Sequence, residues 1–146
     1  MDKLLIPIFV GEKEQNWEMV GHWILLCCHM KSRTLCVYDS DRNDNIEEAR
    51  KEVKWIIEYF WEESQHVPGK QPGEDHAKYV NSWTIDIKPA PQQDEGTMDC
   101  GVFMCCFMDF LLLNLPISAL THDAIKEHGR KWLFMSICRN EILLDK

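Results

Sequence analysis

The chain has 146 residues, a length typical of a single domain. Its hydrophobic fraction of 45% and its charged fraction of 27% are those of an ordinary globular protein. The formal net charge of -8 argues against nucleic acid and against an anionic membrane surface as partners, because both are bound through basic surfaces.

The N-terminal third predicts three short strands. Residues 4–10 form an apolar run of strand length, and residues 11–19 are polar and predict a loop. Residues 21–30 are densely apolar, and residues 34–38 form another strand-like run after a tight turn at residues 31–33. Two such runs around a short turn indicate an antiparallel hairpin.

The middle of the chain predicts one helix and one strand. Residues 39–45 are rich in Asp, Asn and Ser, which favour turns. Residues 46–64 carry apolar side chains at helical spacing, with a charged opposite face. Residues 67–76 and 88–98 predict loops, and a strand is predicted between them at residues 84–87.

Two helices are predicted in the last third. Residues 100–113 are apolar almost all round, as in a buried helix, and Pro116 ends the run. Residues 121–143 predict an amphipathic helix, with Thr121 as its cap and a break near Gly129. The elements together predict an α+β fold in which helices pack on a small mixed or antiparallel sheet.

The seven cysteines indicate a reducing compartment. The chain starts with a strand-like segment and not with a secretory signal, and its apolar runs are shorter than a membrane span. The adjacent pairs Cys27-Cys28 and Cys105-Cys106 do not suit a disulfide framework. We therefore expect an intracellular protein whose cysteines are free thiols, most of them small core residues.

Cys100 differs from the other cysteines in its position. It begins the predicted buried helix after a polar loop, and Gly101 beside it leaves room for a substrate backbone. The free N–H groups and the dipole at a helix N-terminus favour the thiolate, which is the nucleophilic form of cysteine. Asp99 opposes this if its carboxylate points at the sulfur, but it could instead cap the helix. The sequence leaves both arrangements open.

His22 and Asp39 are predicted to meet at one end of the hairpin. His22 lies at the start of the first hairpin strand and Asp39 directly follows the second, so antiparallel pairing places them side by side. A carboxylate on one imidazole nitrogen fixes the tautomer and leaves the other nitrogen to take a thiol proton. By residue type alone, a structural histidine and a turn aspartate are the simpler interpretation.

Two glutamines, Gln92 and Gln93, precede Cys100 by eight and seven residues. When a thiolate attacks a carbonyl group, an oxyanion forms and needs hydrogen-bond donors. A glutamine amide and the backbone N–H of Cys100 could supply two of them. The alternative is a solvated loop glutamine with no role in chemistry.

Four strings, IPIFV, GHW, VYDS and PQQDEGTMDCGVF, occur in this order along the chain. Together they resemble the catalytic signature of the Ulp1/sentrin-protease family, and DCGVF followed by an apolar helix is their most specific element. The resemblance covers residues 4–143 and implies the papain-like cysteine protease fold. In it, Cys100 is similar to the family nucleophile, His22 to the general base and Asp39 to the acid that orients the base. The chemistry implied is that of a thiol peptidase, which requires no metal and no cofactor.

The resemblance also implies roles for residues around this triad. Gln93 resembles the oxyanion-hole glutamine, but the family more often places that residue one position nearer to the cysteine, so Gln92 remains the alternative. Trp23 resembles the tryptophan that covers a narrow tunnel for a Gly-Gly tail, and it could equally be a core residue. Gly101 is expected to contact the substrate in the same tunnel.

The substrate and the extent of the domain follow from the same resemblance. The expected reaction is hydrolysis of the peptide or isopeptide bond after the C-terminal glycine of a SUMO-like, ubiquitin-like modifier. The expected partners are that modifier and its conjugates, and the expected location is the nucleus or cytoplasm. Family members usually carry further helices before the IPI-type strand, so residues 1–146 are interpreted as one catalytic domain that lacks its N-terminal part. The long interval before Cys100 suggests an insertion around residues 67–78.

Three alternatives stay open. The chain could be a weakly active or inactive module that binds a modifier, because the lacking N-terminal part contributes to binding. It could be an acyltransferase on the same fold, although such relatives typically have Glu where VYDS has Asp. The third alternative is a metal site, although neighbouring strand residues point to opposite faces. Its ligands would be His22, Cys27, Cys28, His29 and Cys36.

Overall fold

A computed structural model describes residues 3–13, 19–41, 46–66 and 75–131. Its four strands form one sheet, in the order β1 (Lys3–Lys13), β2 (Met19–His29), β3 (Thr34–Tyr38) and β4 (Thr84–Lys88). β2 pairs antiparallel with both β1 and β3, whereas β4 runs parallel to β3. The helices are α1 (Ile46–Gln65), α2 (His76–Asn81), α3 (Cys100–Leu112) and α4 (His122–Ala124), which continues as a π-helical turn (Ile125–Gly129).

The middle of β2, residues 24–28, is apolar and is buried on both faces of the sheet. Ile24, Leu26 and Cys28 belong to the core on the α1 side of the sheet. The alternate residues Leu25 and Cys27 belong to the core on the α3 side. All five side chains are at most 1% exposed. A strand covered on both faces requires a continuous apolar run, as this segment has.

The first face of the sheet is covered by α1 and α2. Val53, Ile56 and Ile57 of α1 pack there at helical spacing. Tyr79 of α2 and Trp83, which follows that helix, complete this core. The charged face of α1 is thereby left to solvent.

The second face of the sheet is covered by α3. Phe103, Cys106 and Phe107 are buried in a core that also contains Tyr38 of β3 and Ile125 of the π-helical turn. The ring centroids of Tyr38 and Phe107 lie 6.3 Å apart. This packing fixes the direction of α3 and therefore the position of its first residue, Cys100.

The predicted α+β class is confirmed, and the sheet is mixed because β3 and β4 are parallel. The predicted loop at residues 11–19 is wrong at both of its ends, because β1 continues to Lys13 and β2 begins at Met19. Backbone pairing between the two strands carries these polar ends into the sheet. Residues 14–18 lie outside the described part of the chain.

The sequence pattern does not predict α2, and the predicted loop at residues 67–76 is wrong at residue 76, which begins this helix. Asp75 caps this helix, because its carboxylate accepts the N–H of Lys78. Burial of Tyr79 stabilises a helix in a segment whose aromatic residues favour a strand. The other assignments at residues 42–45 and 67–74 lie outside the described residues.

The predicted cap of the last helix is confirmed, because the Thr121 hydroxyl accepts the N–H of Ala124. The predicted break near Gly129 corresponds to the π-helical turn that Gly129 closes. The remainder of that predicted helix, from residue 132 onward, lies outside the described residues. None of the described helices is both long enough and apolar enough to span a bilayer.

We expect Phe107→Ala to destabilise the domain strongly, because Phe107 is 1% exposed and its ring fills the core beneath α3. The expected loss is about 3–5 kcal/mol of unfolding free energy, measured by urea denaturation. Leu112→Ala in the same helix is the control, because Leu112 is 63% exposed. That change should cost no more than about 0.5 kcal/mol. Similar losses for the two variants would contradict the packing of α3 on the sheet.

Candidate active site

Three separate segments meet at one edge of the sheet. β2 begins near this edge and β3 ends there, so that His22 and Asp39 come together across the hairpin. β4 is parallel to β3, so the chain leaves it at the same edge. The following loop leads to Cys100, the first residue of α3.

This loop is hydrogen-bonded to the residues that follow β3. The backbone N–H of Gln93 donates to the carbonyl oxygen of Ser40 over 2.8 Å. The side-chain amide of Gln92 donates to the carbonyl oxygen of Asp39 over 3.0 Å. The position of the loop is therefore tied to that of Asp39.

The His22 imidazole and the Asp39 carboxylate form a hydrogen-bonded pair between Nε2 and Oδ1. Their side chains are 19% and 23% exposed, so the pair is largely shielded from water. The backbone N–H of Asp41 donates to the same carboxylate oxygen over 2.8 Å, which holds the carboxylate in place. Because Nε2 is engaged by Asp39, Nδ1 is the nitrogen left for proton transfer.

The pKa of the His22 imidazole is raised above its ordinary value. Burial is the largest single influence and lowers the pKa, because it disfavours the charged ring. The hydrogen bond and the charge of Asp39 act in the other direction, and the hydrogen bond and the charge of Cys100 add to them. The net effect favours the imidazolium. The hydrogen bond with Cys100 also means that the Cys100 side chain lies beside the His22 ring.

The predicted capping bond of Asp99 is not formed. Asp99 is the N-cap residue of α3, but its side chain makes no capping hydrogen bond. Its carboxylate instead accepts a hydrogen bond from Arg130 Nη2 over 2.6 Å. The first hydrogen bond of the helix runs from the Phe103 N–H to the Asp99 carbonyl oxygen, so the N–H of Cys100 has no acceptor within the helix.

The other described cysteines contrast with Cys100. All six cysteines of the described residues are free thiols, and Cys100 is one of two that are only partly buried. Burial raises the pKa of Cys28 to about 12 and that of Cys106 to about 11. These two thiols therefore stay protonated at neutral pH, as expected of core residues.

Both glutamine side chains are hydrogen-bonded within the protein. The amide of Gln92 donates to the carbonyl oxygens of Asp39 and Ala90 over 3.0 and 2.9 Å. The amide nitrogen of Gln93 donates to the Thr97 carbonyl oxygen over 3.0 Å. The amide oxygen of Gln93 accepts from the Ser40 hydroxyl over 3.1 Å.

Trp23 is not a core residue, because 39% of it is exposed. Its ring packs edge-on against Phe9, with the ring centroids 5.3 Å apart. A Cβ atom built on Gly101 would lie 3.7 Å from Cδ1 of Trp23. The indole therefore lies directly beside the residue that follows Cys100.

The metal-site alternative finds no support in the described residues. They contain no group of three or more His, Cys, Asp or Glu side chains that could hold a metal ion. Cys27 and Cys28 belong to the cores on opposite faces of the sheet.

Two residues of the site escaped sequence analysis. Ser40 is 1% exposed and supports Gln93, but in the sequence it is one of several turn-forming residues after β3. Arg130 engages Asp99 from a distant helix. A weak signal for Arg130 exists, because His122, Lys126 and Arg130 recur at four-residue spacing.

A model of the Ulp1 protease family, C-terminal catalytic domain, matches residues 1–142. Sentrin-specific protease 3 of Mus musculus is 25% identical over 135 residues, and the match covers 92% of this chain and 20% of that protein. The same protein of Homo sapiens gives the same identity and coverage. The chain thus spans about a fifth of these curated relatives.

Solved structures share the fold. The C-terminal Ulp1 protease domain in complex with Smt3, the yeast ortholog of SUMO, superposes with a TM-score of 0.60 at 22% identity. The match covers 89% of this chain and 49% of that one. ChlaDub1 from Chlamydia trachomatis superposes with a TM-score of 0.51 at 17% identity, over 95% of this chain and 61% of that one. The predicted papain-like fold is thereby confirmed.

We expect Asp39→Asn to lower the pKa of His22, because the variant removes the negative charge that stabilises the imidazolium. A two-dimensional NMR titration of the His22 ring measures this directly. Asp86→Asn is the control, because Asp86 pairs with Lys88 on β4 and not with His22. An unchanged His22 titration in Asp39→Asn would contradict the pairing.

The same pair gives a pH dependence of stability. Since the folded-state pKa of His22 is raised above the unfolded value of about 6.5, the native state binds this proton more tightly. Its stabilisation is fully present below about pH 6.5 and is lost as the pH rises through the raised pKa. The stability difference between wild type and Asp39→Asn should therefore shrink with rising pH in this range.

Proposed function

The chain belongs to the Ulp1 protease family, and from this premise we propose that it is a cysteine peptidase that cleaves after the C-terminal glycine of a SUMO-like modifier. One observation carries the proposal: His22, Asp39 and the first residue of α3, Cys100, converge at one edge of the sheet. This is the order and geometry of base, orienting acid and nucleophile in thiol catalysis.

The nucleophile is the Cys100 thiolate. Two features favour it: the N-terminal position in α3, and the His22 imidazolium that the Asp39 carboxylate supports. In forming the ion pair, the thiol proton passes to Nδ1 of His22 while Nε2 keeps its bond to Asp39. The site then holds a nucleophile and a proton donor in one arrangement.

The reaction proceeds in two halves. The thiolate attacks the carbonyl carbon of the scissile bond, and the carbonyl π electrons move onto the oxygen. When the tetrahedral intermediate collapses, the C–N bond breaks and His22 Nδ1 gives its proton to the leaving amine, which leaves a thioester. Water then attacks the thioester with Nδ1 as base, and the acid product and the Cys100 thiolate are released.

The oxyanion of each half-reaction is assigned to the backbone N–H of Cys100 and to an amide N–H of Gln93. The contacts of the two glutamines support this choice. Both amide hydrogens of Gln92 have acceptors, the carbonyl oxygens of Asp39 and Ala90. In the described residues, Gln93 donates one amide hydrogen to Thr97, so its second hydrogen can serve a substrate.

Trp23 and Gly101 are proposed to bound the path of the substrate tail. A Gly-Gly tail has no side chains, so it fits a space between an indole and a residue without a Cβ atom. The solved Ulp1 domain in complex with Smt3 is the basis for naming the SUMO-like class of modifier. We propose residues 1–146 as one catalytic domain whose partners are the modifier and its conjugates, without nucleic acid or membrane.

A reducing intracellular location, nuclear or cytoplasmic, fits this chemistry. The six cysteines of the described residues are all free. A thiolate nucleophile requires such conditions, because oxidation of the thiol removes the nucleophile.

Covalent capture tests the proposal. SUMO-like and other ubiquitin-like modifiers that carry a C-terminal vinyl sulfone are incubated with the protein, and the adduct is mapped by mass spectrometry. We expect one adduct, on Cys100, and none with Cys100→Ala. His22→Ala should slow adduct formation by about 10²-fold or more, because the proton acceptor is lost.

Cys105→Ala serves as the matched control, because Cys105 lies on α3 and is the other partly buried cysteine among the described residues. It should react at the wild-type rate. An adduct on another cysteine would overturn the assignment of the nucleophile. A folded protein that binds the modifier without forming an adduct would instead establish the binding-module alternative.

We expect Gln93→Ala to reduce the rate of hydrolysis of a modifier fused to a C-terminal fluorophore by about 10²–10³-fold, because one oxyanion donor is lost. Ser40→Ala is the control for the position of the loop, because it removes only the hydroxyl that holds the Gln93 amide oxygen. Its effect should be much smaller. A Gln93→Ala protein with full activity would transfer the role to Gln92.

A further inference from the structure

Asp99 stands where a carboxylate normally caps a helix. An aspartate at the N-cap position usually accepts the N–H of the second or third helical residue. In α3 those residues are Gly101 and Val102, next to Cys100 in the first turn. The Asp99 side chain makes no such bond, and its carboxylate is held by Arg130 over 2.6 Å.

A capping carboxylate would oppose the chemistry of Cys100 in two ways. Its negative charge would lie over the first turn of α3 and would disfavour a second negative charge on the sulfur. It would also occupy N–H groups of that turn, which otherwise favour a thiolate or an oxyanion. An Asp-Cys sequence at a helix start therefore needs something that keeps the aspartate out of the capping position.

The fold brings Arg130 to this position by close packing of helices. Gly129 is buried against α3, and a Cβ atom built on it would lie 2.8 Å from Cγ1 of Val102 and 3.4 Å from the sulfur of Cys106. A side chain at position 129 would force Val102 to shift, so glycine suits this close approach to α3. Ile125, which begins the same π-helical turn, is 1% exposed and anchors it in the core.

The helical segment that carries Arg130 also forms ion pairs with the loop before Cys100. Lys126 pairs with the Asp94 carboxylate, and Nε2 of His122 lies 3.3 Å from the other oxygen of Asp94. Arg130 forms an ion pair with Asp99. Both ends of the segment from Asp94 to Asp99 are therefore bound to basic residues on one face of this helical segment.

We propose that Arg130 is a positioning residue for the nucleophile: it draws the Asp99 carboxylate away from the first turn of α3 and leaves that turn to Cys100. The inference rests on the proposed role of Cys100. It adds Arg130, from a helix distant in sequence, to the proposed triad of Cys100, His22 and Asp39. His22 lies beside Cys100 on the sheet side, and Asp99 and Arg130 form their pair at the start of α3.

The test measures alkylation of Cys100 by iodoacetamide, with each cysteine quantified by mass spectrometry, and requires no modifier. At about pH 6, Arg130→Gln should slow labelling of Cys100 by about two- to five-fold, because the thiolate is the form that reacts and the variant makes it less favourable. Arg130→Lys keeps the positive charge and should stay close to wild type. The double variant Arg130→Gln/Asp99→Asn should regain the rate of Asp99→Asn alone, because the charge that Arg130 restrains is gone.

Cys106 reports on the fold in the same samples, because it is 3% exposed and labels only when α3 opens. A double variant that stays slow at Cys100, or in which Cys106 becomes reactive, would overturn the proposal and make Arg130 a structural residue. An Arg130→Gln protein that labels at the wild-type rate would overturn it as well. Failure of covalent capture with modifiers leaves this measurement intact, so the two proposals fail separately.

Discussion

Phe103 and Phe107 of α3 are buried against the sheet beside Tyr38. This contact fixes the position in space of the N-terminus of α3. A helix start carries unpaired N–H groups and the positive end of the dipole, so its location determines where a thiolate is favoured. The pair His22–Asp39 is already fixed by the β2–β3 hairpin. Apolar packing on one face of the sheet therefore brings Cys100, the proposed nucleophile, to His22, the proposed base, which strand pairing holds in place.

Charge is distributed around Cys100 in two pairs. The imidazole of His22 and the carboxylate of Asp39 form one pair on the sheet side. The Arg130 guanidinium and the Asp99 carboxylate form the other at the helix, with Arg130 much more exposed than Asp99. In each pair, a positively charged group binds the carboxylate. The negative charge of that carboxylate therefore disfavours a thiolate at Cys100 less than it would alone. The more exposed pair is the more sensitive to salt.

Local pattern was enough to place the hairpin, α1 and α3 in the sequence, because each has the periodicity that its burial requires. The convergence of His22 and Asp39 could be predicted for the same reason, since a short turn leaves only one way to pair the strands. α2 could not be predicted, because the burial of Tyr79 on α1 and the sheet depends on tertiary contacts. The proposed role of Arg130 could not be predicted either, since it depends on how closely Gly129 approaches α3.

The members of this site lie at very different distances along the chain. His22 and Asp39 belong to neighbouring strands, whereas α1, α2 and β4 separate them from Cys100 and Arg130 along the chain. Contacts between distant segments are the last to become favourable during folding, because the entropy of closing long loops must be overcome first. In a newly made chain we therefore expect Cys100, the proposed nucleophile, to meet His22 only once α3 has packed on the sheet, so the proposed chemistry requires the completed fold.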